Sequence, residues 1–260
     1  MIAAKLMGGL GNMMFQIATT YSLSLDNDDE CAFSLADGNF MKSVVDRFGD
    51  YEDAHCYEEN IFRRINMLER CPPITYREPS FEYRGIPYHP HMCLQGYFQS
   101  EKYFVHNREK ILDLFELSVP IKYEGLFVHD VPLVSVHVRR GDYLKFSKFH
   151  PPCSMDYYEA ALRNLDMPKA TLVVFSDDIE WCKNNFSTTC IFVEGNSDVE
   201  DLSLMSKCDH HIIANSSFSW WGAWMNSHPE KEVIAPLRWF GANGPSKITK
   251  DLYCDGWIIK

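Results

Sequence analysis

From residue 133 onward, short β-branched runs alternate with segments of helical pattern, and this alternation leaves few folds open to the chain. Strands are expected at 133–138, 171–176, 190–194, 210–214 and 232–236, with helices at about 154–165, 178–186, 198–207 and 217–227. Strands separated by helical crossovers build βαβ units and a parallel sheet. The second half therefore reads as Rossmann-like.

A parallel sheet gathers the loops that follow its strands on one edge, where open α/β sheets bind ligands. Three polar tips fall there. The run 133–143, LVSVHVRRGDY, ends in Arg139, Arg140, Gly141 and Asp142; FSDD ends in Asp177 and Asp178; ANSS supplies Asn215, Ser216 and Ser217. Guanidinium forks match phosphate geometry, and a helix N-terminus offers N–H groups to an anion. Each tip also has a structural reading: the arginines as surface ion pairs, Asp177, Asp178 and Ser216 as helix caps. Their joint placement favours a nucleotide site, with a carboxylate facing the base or ribose. Adjacent residues on a strand point to opposite sides, so one of the two arginines is expected to face the other side of the sheet, and an Arg140–Asp142 structural pair is expected.

The first half opens with a short strand, IAAKL, and a glycine turn at Gly8, Gly9 and Gly11. Asn12 is the expected N-cap of a helix over 13–25. The spacing is not the GxGxxG dinucleotide fingerprint and lacks the Gly-Lys-Ser/Thr of a P-loop, which argues against an oxidoreductase. Further on, a helix is expected at 57–70, irregular chain through the five prolines of 71–92, a strand at 93–98 and a helix at 100–117 capped by Ser100. Residues 118–132 read as a linker, dividing the chain into domains 1–130 and 131–260.

The net charge of −11 argues against nucleic-acid binding, and an anionic ligand would need a focused positive pocket. Nine cysteines with no CxxC pair fit free thiols in a reducing cytosol, and no spacing suits a metal site. No signal peptide or membrane-length apolar stretch is present. A soluble, cytoplasmic protein is expected, with peripheral proximity to a membrane left open. Trp220, Trp221 and Trp224 share one helix face and are expected to pack in the core rather than form a sugar platform.

GGLGNMMFQ, GYFQSEKYF, HVRRGDY, FSDDIEW and NSSFSWWGAW, in that order, resemble the α-1,2-fucosyltransferases of glycosyltransferase family 11. The resemblance runs from the first residues to about Trp224 and departs at Met13, where the family commonly carries glutamine. It implies an α/β fold of GT-B type, two Rossmann-like domains facing a cleft. Residues 1–130 would be the acceptor-side domain and 131–260 the GDP-fucose-binding domain. It implies inverting, metal-independent transfer of fucose from GDP-β-L-fucose to the 2-hydroxyl of a galactose-terminated oligosaccharide, without a cofactor. Arg139 would stabilise charge on the departing diphosphate, and Asn12, with Gly9 and Gly11, would approach the diphosphate or the fucosyl carbon. His137, one of Asp177 and Asp178 (Asp177 preferred), Ser216, Ser217 and Phe218 would line the nucleotide pocket. Asp142 and acids of the first domain are candidate bases. A transferase of another linkage, such as α-1,6, and a non-catalytic nucleotide- or carbohydrate-binding protein remain as alternatives.

Overall fold

The computed structural model describes residues 1–35, 57–128 and 131–260. The chain divides into two compact units, Met1–Glu116 with Ile248–Cys254, and Leu117–Lys247 with Asp255–Lys260. The sequence places the division at 130/131; the packing places it at 116/117 and returns a C-terminal segment to the first unit. Val119, Tyr123, Leu126 and Phe127, within the expected linker, pack against the second unit's core instead of spanning open chain. The returning segment is tied by Asp251, which pairs with Lys102 at 2.6 Å and accepts the Tyr83 N–H at 3.0 Å.

In the first unit, β1 (Ile2–Leu6), β2 (Cys31–Leu35), β3 (Ile74–Arg77) and β4 (Met92–Gln95) form a parallel sheet ordered β2-β1-β4-β3. Helix α1 (Leu10–Asp26) connects β1 to β2 and buries Met13, Met14, Phe15, Ile17 and Ala18. The chain turns at Gly8, whose φ of +83° favours glycine, so Gly9 becomes the N-cap. Asn12 thus lies in the first helical turn rather than at the expected cap.

Three other expectations differ. Residues 57–65 form turns rather than a helix, after which Asn66 and Leu68 flank a bridge to Phe33. Strand β3 stands where irregular chain was expected; it is an exposed edge strand with little apolar signature. The helix expected at 100–117 is two 3-10 turns followed by α2 (Arg108–Leu114), because buried Phe104 adopts φ −147° and interrupts the helix. Ser100 does cap, accepting the Lys102 N–H.

In the second unit, β5 (Leu133–Val138), β6 (Thr171–Ser176), β7 (Ile191–Phe192), β8 (His210–Ile212), β9 (Val233–Ala235) and β10 (Ile258–Ile259) form a six-stranded parallel sheet. Its order is β10-β9-β8-β5-β6-β7, the arrangement of a doubly wound sheet that reverses direction between β5 and β8. The helices are α3 (Gly141–Lys145), α4 (Met155–Leu165), α5 (Ile179–Asn185), α6 (Asp198–Lys207) and α7 (Ser217–Met225). Strand β5 is buried along its whole length, and its period of two splits it between two cores. Val134, Val136 and Val138 pack with Tyr158, Ala161 and Val174 on one face. Leu133 joins Phe175, Leu204 and Met205 on the other. Trp220, Trp221 and Trp224 are buried, as their spacing indicated: Trp220 stacks on Trp224, and Trp221 meets both edge to face. No described helix is long and apolar enough to cross a membrane. None of the eight described cysteines is disulfide-bonded; Cys56 lies outside the described residues.

Candidate active site

The two strands flanking the reversal, β5 and β8, pair directly through Val134↔His210 to Val136↔Ile212. The loops that leave them carry the RRGD and NSS motifs, so the sequence's expectation that these tips share an edge becomes a neighbour relation. The FSDD tip follows β6, the other neighbour of β5.

At the tip of β5, Arg139 donates from Nη2 to Asp142 at 2.7 Å and forms an ion pair through Nε with Asp177 at 3.2 Å, with its side chain one-third exposed. Arg140 turns the other way, pairing with Asp178 at 3.0 Å and lying 4.1 Å over the Trp181 ring. The two arginines do diverge, but Asp142 belongs to Arg139 and not to Arg140. Strand alternation stops at Val138; α3 starts at Gly141, and its first turn folds Asp142 back to the residue three positions earlier.

Asp177 has two duties, accepting the Arg140 backbone N–H at 2.8 Å and facing the Arg139 guanidinium. Asp178 caps α5 through the Trp181 N–H while holding Arg140. Gly141 makes room for this packing: a Cβ there would stand 2.6 Å from Asp177 Oδ2.

Beside the arginine, His137 is 5% exposed, its Nδ1 has no hydrogen-bond partner among the described residues, and its ring lies 5.5 Å from Phe218. Burial pushes its pKa down to about 3, with Asp177 opposing and Arg139 adding to the shift. The imidazole is therefore a neutral hydrogen-bonding group at ordinary pH. Ser216 caps α7, accepting the Phe218 N–H at 3.3 Å, and Ser217 begins that helix.

Tyrosines fix this rim from behind. Tyr143, in the HVRRGDY run, donates to the Asn215 carbonyl at 2.9 Å, joining two of the three motifs. Tyr158 donates to the His137 carbonyl at 3.0 Å, and Tyr157 to that of Ile213 at 2.7 Å. Asn215 does not face the rim; its amide donates to the Pro151 and Trp239 carbonyls. His150 stacks on Tyr143 at 4.9 Å and is a member of the cluster that local sequence did not reveal. Burial lowers its pKa, Asp142 opposes and Arg139 adds.

The first unit presents its own loop pair where its strand order reverses, between β1 and β4. Gln16, the last residue of GGLGNMMFQ, accepts the Met7 N–H at 2.9 Å and donates to its carbonyl at 3.0 Å, clamping the glycine turn. Gly11 is buried in the first turn of α1, and Asn12 accepts a hydrogen bond from Gln99 at 2.6 Å. Gln99 lies in the GYFQSEKYF motif, but its pairing across 87 positions has no local signal.

Among the described residues no group of three or more His, Cys, Asp or Glu side chains is arranged to hold a metal ion. An aimed guanidinium, a neutral imidazole and a helix N-terminus can together receive an oxyanion and hydrogen-bond its carrier.

Two α/β units with parallel sheets make an α/β fold of GT-B type. Solved structures agree on the fold: E. coli ADP-heptose LPS heptosyltransferase II gives a TM-score of 0.50 at 11% identity, covering all of this chain and 90% of that one. A family 9 glycosyl transferase from Veillonella parvula also gives 0.50, at 12% identity over all of this chain and 86% of that one.

The glycosyl transferase family 11 model matches residues 65–260, and the chain belongs to that family. The E. coli O-antigen biosynthesis glycosyltransferase WbnK is 32% identical over 97% of this chain and 98% of its own length. An E. coli α-1,2-colitosyltransferase is 34% identical over 92% of each. Rabbit galactoside α-(1,2)-fucosyltransferase 2 is 27% identical over 84% of this chain and 65% of its own. The chain is thus a glycosyltransferase of fucosyltransferase type, and the reading as a non-catalytic binding protein falls away.

Proposed function

We propose that the protein transfers L-fucose from GDP-β-L-fucose to the 2-hydroxyl of a terminal galactose on a glycan acceptor, with inversion and without a metal. The acceptor hydroxyl attacks the anomeric carbon and releases its proton, the bond from that carbon to the β-phosphate oxygen breaks with its electron pair going to the phosphate, and GDP leaves. Arg139 carries the chemistry by placing fixed positive charge at the departing diphosphate, where preorganised electrostatics contribute most. His137, Ser216, Ser217 and Phe218 receive the nucleotide. Asp177 and Asp178 serve it through the arginines they hold, and Asn12 acts from the glycine loop with Gly9 and Gly11. The nine cysteines without a paired motif support a cytoplasmic location.

The observation that carries this reading is the Arg139 guanidinium, held by Asp142 and Asp177 at the sheet reversal beside the buried His137 Nδ1, which has no partner among the described residues. The α-1,2 linkage rests on the names of the relatives. The α-1,2-colitosyltransferase among them supports a second donor, GDP-colitose, which lacks the 3-hydroxyl of fucose.

The test is incubation with each sugar nucleotide and a panel of β-galactosides in EDTA, followed by linkage analysis of the product. Transfer to the galactose 2-hydroxyl that survives the chelator is expected. Arg139→Ala should lower kcat by about 10²–10³ with its tryptophan fluorescence unchanged. Transfer that requires a divalent ion, or near wild-type kcat in Arg139→Ala, would overturn the mechanism.

A further inference from the structure

We propose that Gln99 is a positioning residue that fixes which end of the Asn12 carboxamide meets the substrate. The inference rests on the reading above in that Asn12 acts on the donor.

Gln99 Nε2 donates to Asn12 Oδ1 at 2.6 Å. Pairing of β1 with β4 through Ala3↔Cys93 and Ala4↔Leu94 brings the two loops together. Both partners are held. Asn12 sits in the first turn of α1, its Nδ2 only 2.6 Å from where a Cβ on Gly8 would stand. The loop carrying Gln99 is clamped by Glu78, whose carboxylate accepts the Tyr97 N–H at 2.7 Å and the Phe98 N–H at 3.1 Å. Phe98 is fully buried at φ +51°, edge-on to Tyr103, and a Cβ on Gly96 would stand 2.3 Å from that of Glu78. A phenylalanine held in the left-handed region needs surroundings that over-determine it. Burial raises the Glu78 pKa, and the two N–H bonds oppose the rise.

A carboxamide has one accepting and one donating end. With Oδ1 committed to Gln99, Asn12 offers its N–H group, the polarity suited to a diphosphate or sugar oxygen. An ionised glutamate at position 99 only accepts. It would take Asn12 Nδ2 and turn the amide over, offering oxygen where N–H is needed.

The experiment compares Gln99→Glu with Gln99→Met, which removes the partner without reversing it. Expected is a kcat loss of about tenfold for Gln99→Met and about a hundredfold for Gln99→Glu, with the acceptor KM unchanged in both. The Gln99→Glu deficit should shrink as pH falls from about 8 to about 5, because a protonated carboxyl donates as glutamine does. Equal losses in the two variants at every pH, or wild-type kcat in Gln99→Glu, would overturn the inference.

A second readout does not depend on transfer. In protein labelled with ¹⁵N-asparagine, Gln99→Glu should move the Asn12 side-chain amide protons downfield as a carboxylate accepts them, and Gln99→Met should not. A wild-type chain that transfers neither sugar would sink the functional reading while this shift still decides the role of Gln99; its absence in Gln99→Glu would refute that role.

Discussion

Acid should weaken the second unit through His137, and the structure sets the size of the effect. The free imidazole titrates near 6.5, whereas burial holds the folded group to about 3. The folded state then binds fewer protons than the unfolded state over that whole interval. Stability is therefore fully present above about pH 6.5 and is lost as pH falls toward the folded value. One proton is worth about 1.4 kcal/mol per pH unit, so the step from pH 7 to pH 5 should cost about 2 kcal/mol. Substituting His137→Gln keeps a polar side chain and removes the titration.

His211 is also buried, between Ser135 Oγ at 2.7 Å and Asn226 Nδ2 at 2.9 Å, and burial lowers its pKa in the same direction. It is present in both proteins and cancels in the comparison. All six tryptophans lie in the second unit, so fluorescence-detected urea unfolding reports that unit alone. The wild type should lose about 2 kcal/mol more than His137→Gln between pH 7 and pH 5. Losses that agree to within about 0.5 kcal/mol would show that the imidazole charges freely in the folded protein and refute the argument.

Two glycines test the packing around the site. Gly141→Ala puts a methyl group 2.6 Å from Asp177 Oδ2 and should push that carboxylate off the Arg139 Nε, weakening GDP binding by about tenfold in calorimetry. Unchanged affinity would show that Asp177 does not hold the arginine. Gly222→Ala, inside α7, places its Cβ 2.3 Å from Met205 Sδ and should destabilise the second unit by about 1–2 kcal/mol in urea despite alanine's better helix propensity, with Met205→Ala relieving the clash in the double variant.

The topology of the second unit was legible because its central strands are continuous apolar runs separated by helical crossovers. What escaped was at the edges. Ile74 in β3 and Ile259 in β10 are 45% and 41% exposed, and β10 is only two residues long, so neither strand carries an alternation for a pattern to reveal. The arginine tip was legible as a charged cluster at a strand end, but its pairing was not, since strand alternation cannot be carried past the last strand residue. Asn12 was visible as a polar residue in a glycine turn. Its place inside the helix depended on Gly8 taking a positive φ, which no spacing rule specifies. Gln99 and Glu78 were missed for a simpler reason: their roles are made by sheet neighbours far apart in sequence.

The arginine cluster also differs in kind from the focused positive pocket that the acidic composition suggested. Arg139 and Arg140 face three carboxylates, Asp142, Asp177 and Asp178, so the tip carries no positive surplus of its own. Its usefulness to an anion must come from direction rather than net charge. The carboxylates hold the guanidinium against solvent and fix its plane, so little reorganisation remains when a phosphate oxygen arrives. Asp177 can relax from Arg139 Nε and still keep the Arg140 N–H, which lets the ion pair yield to a ligand without leaving the carboxylate unpaired. A neutral His137 adds no competing charge. Under the proposed function, such a site would favour a diphosphate that fits the donor geometry over anions at large, in a chain whose overall charge already repels them.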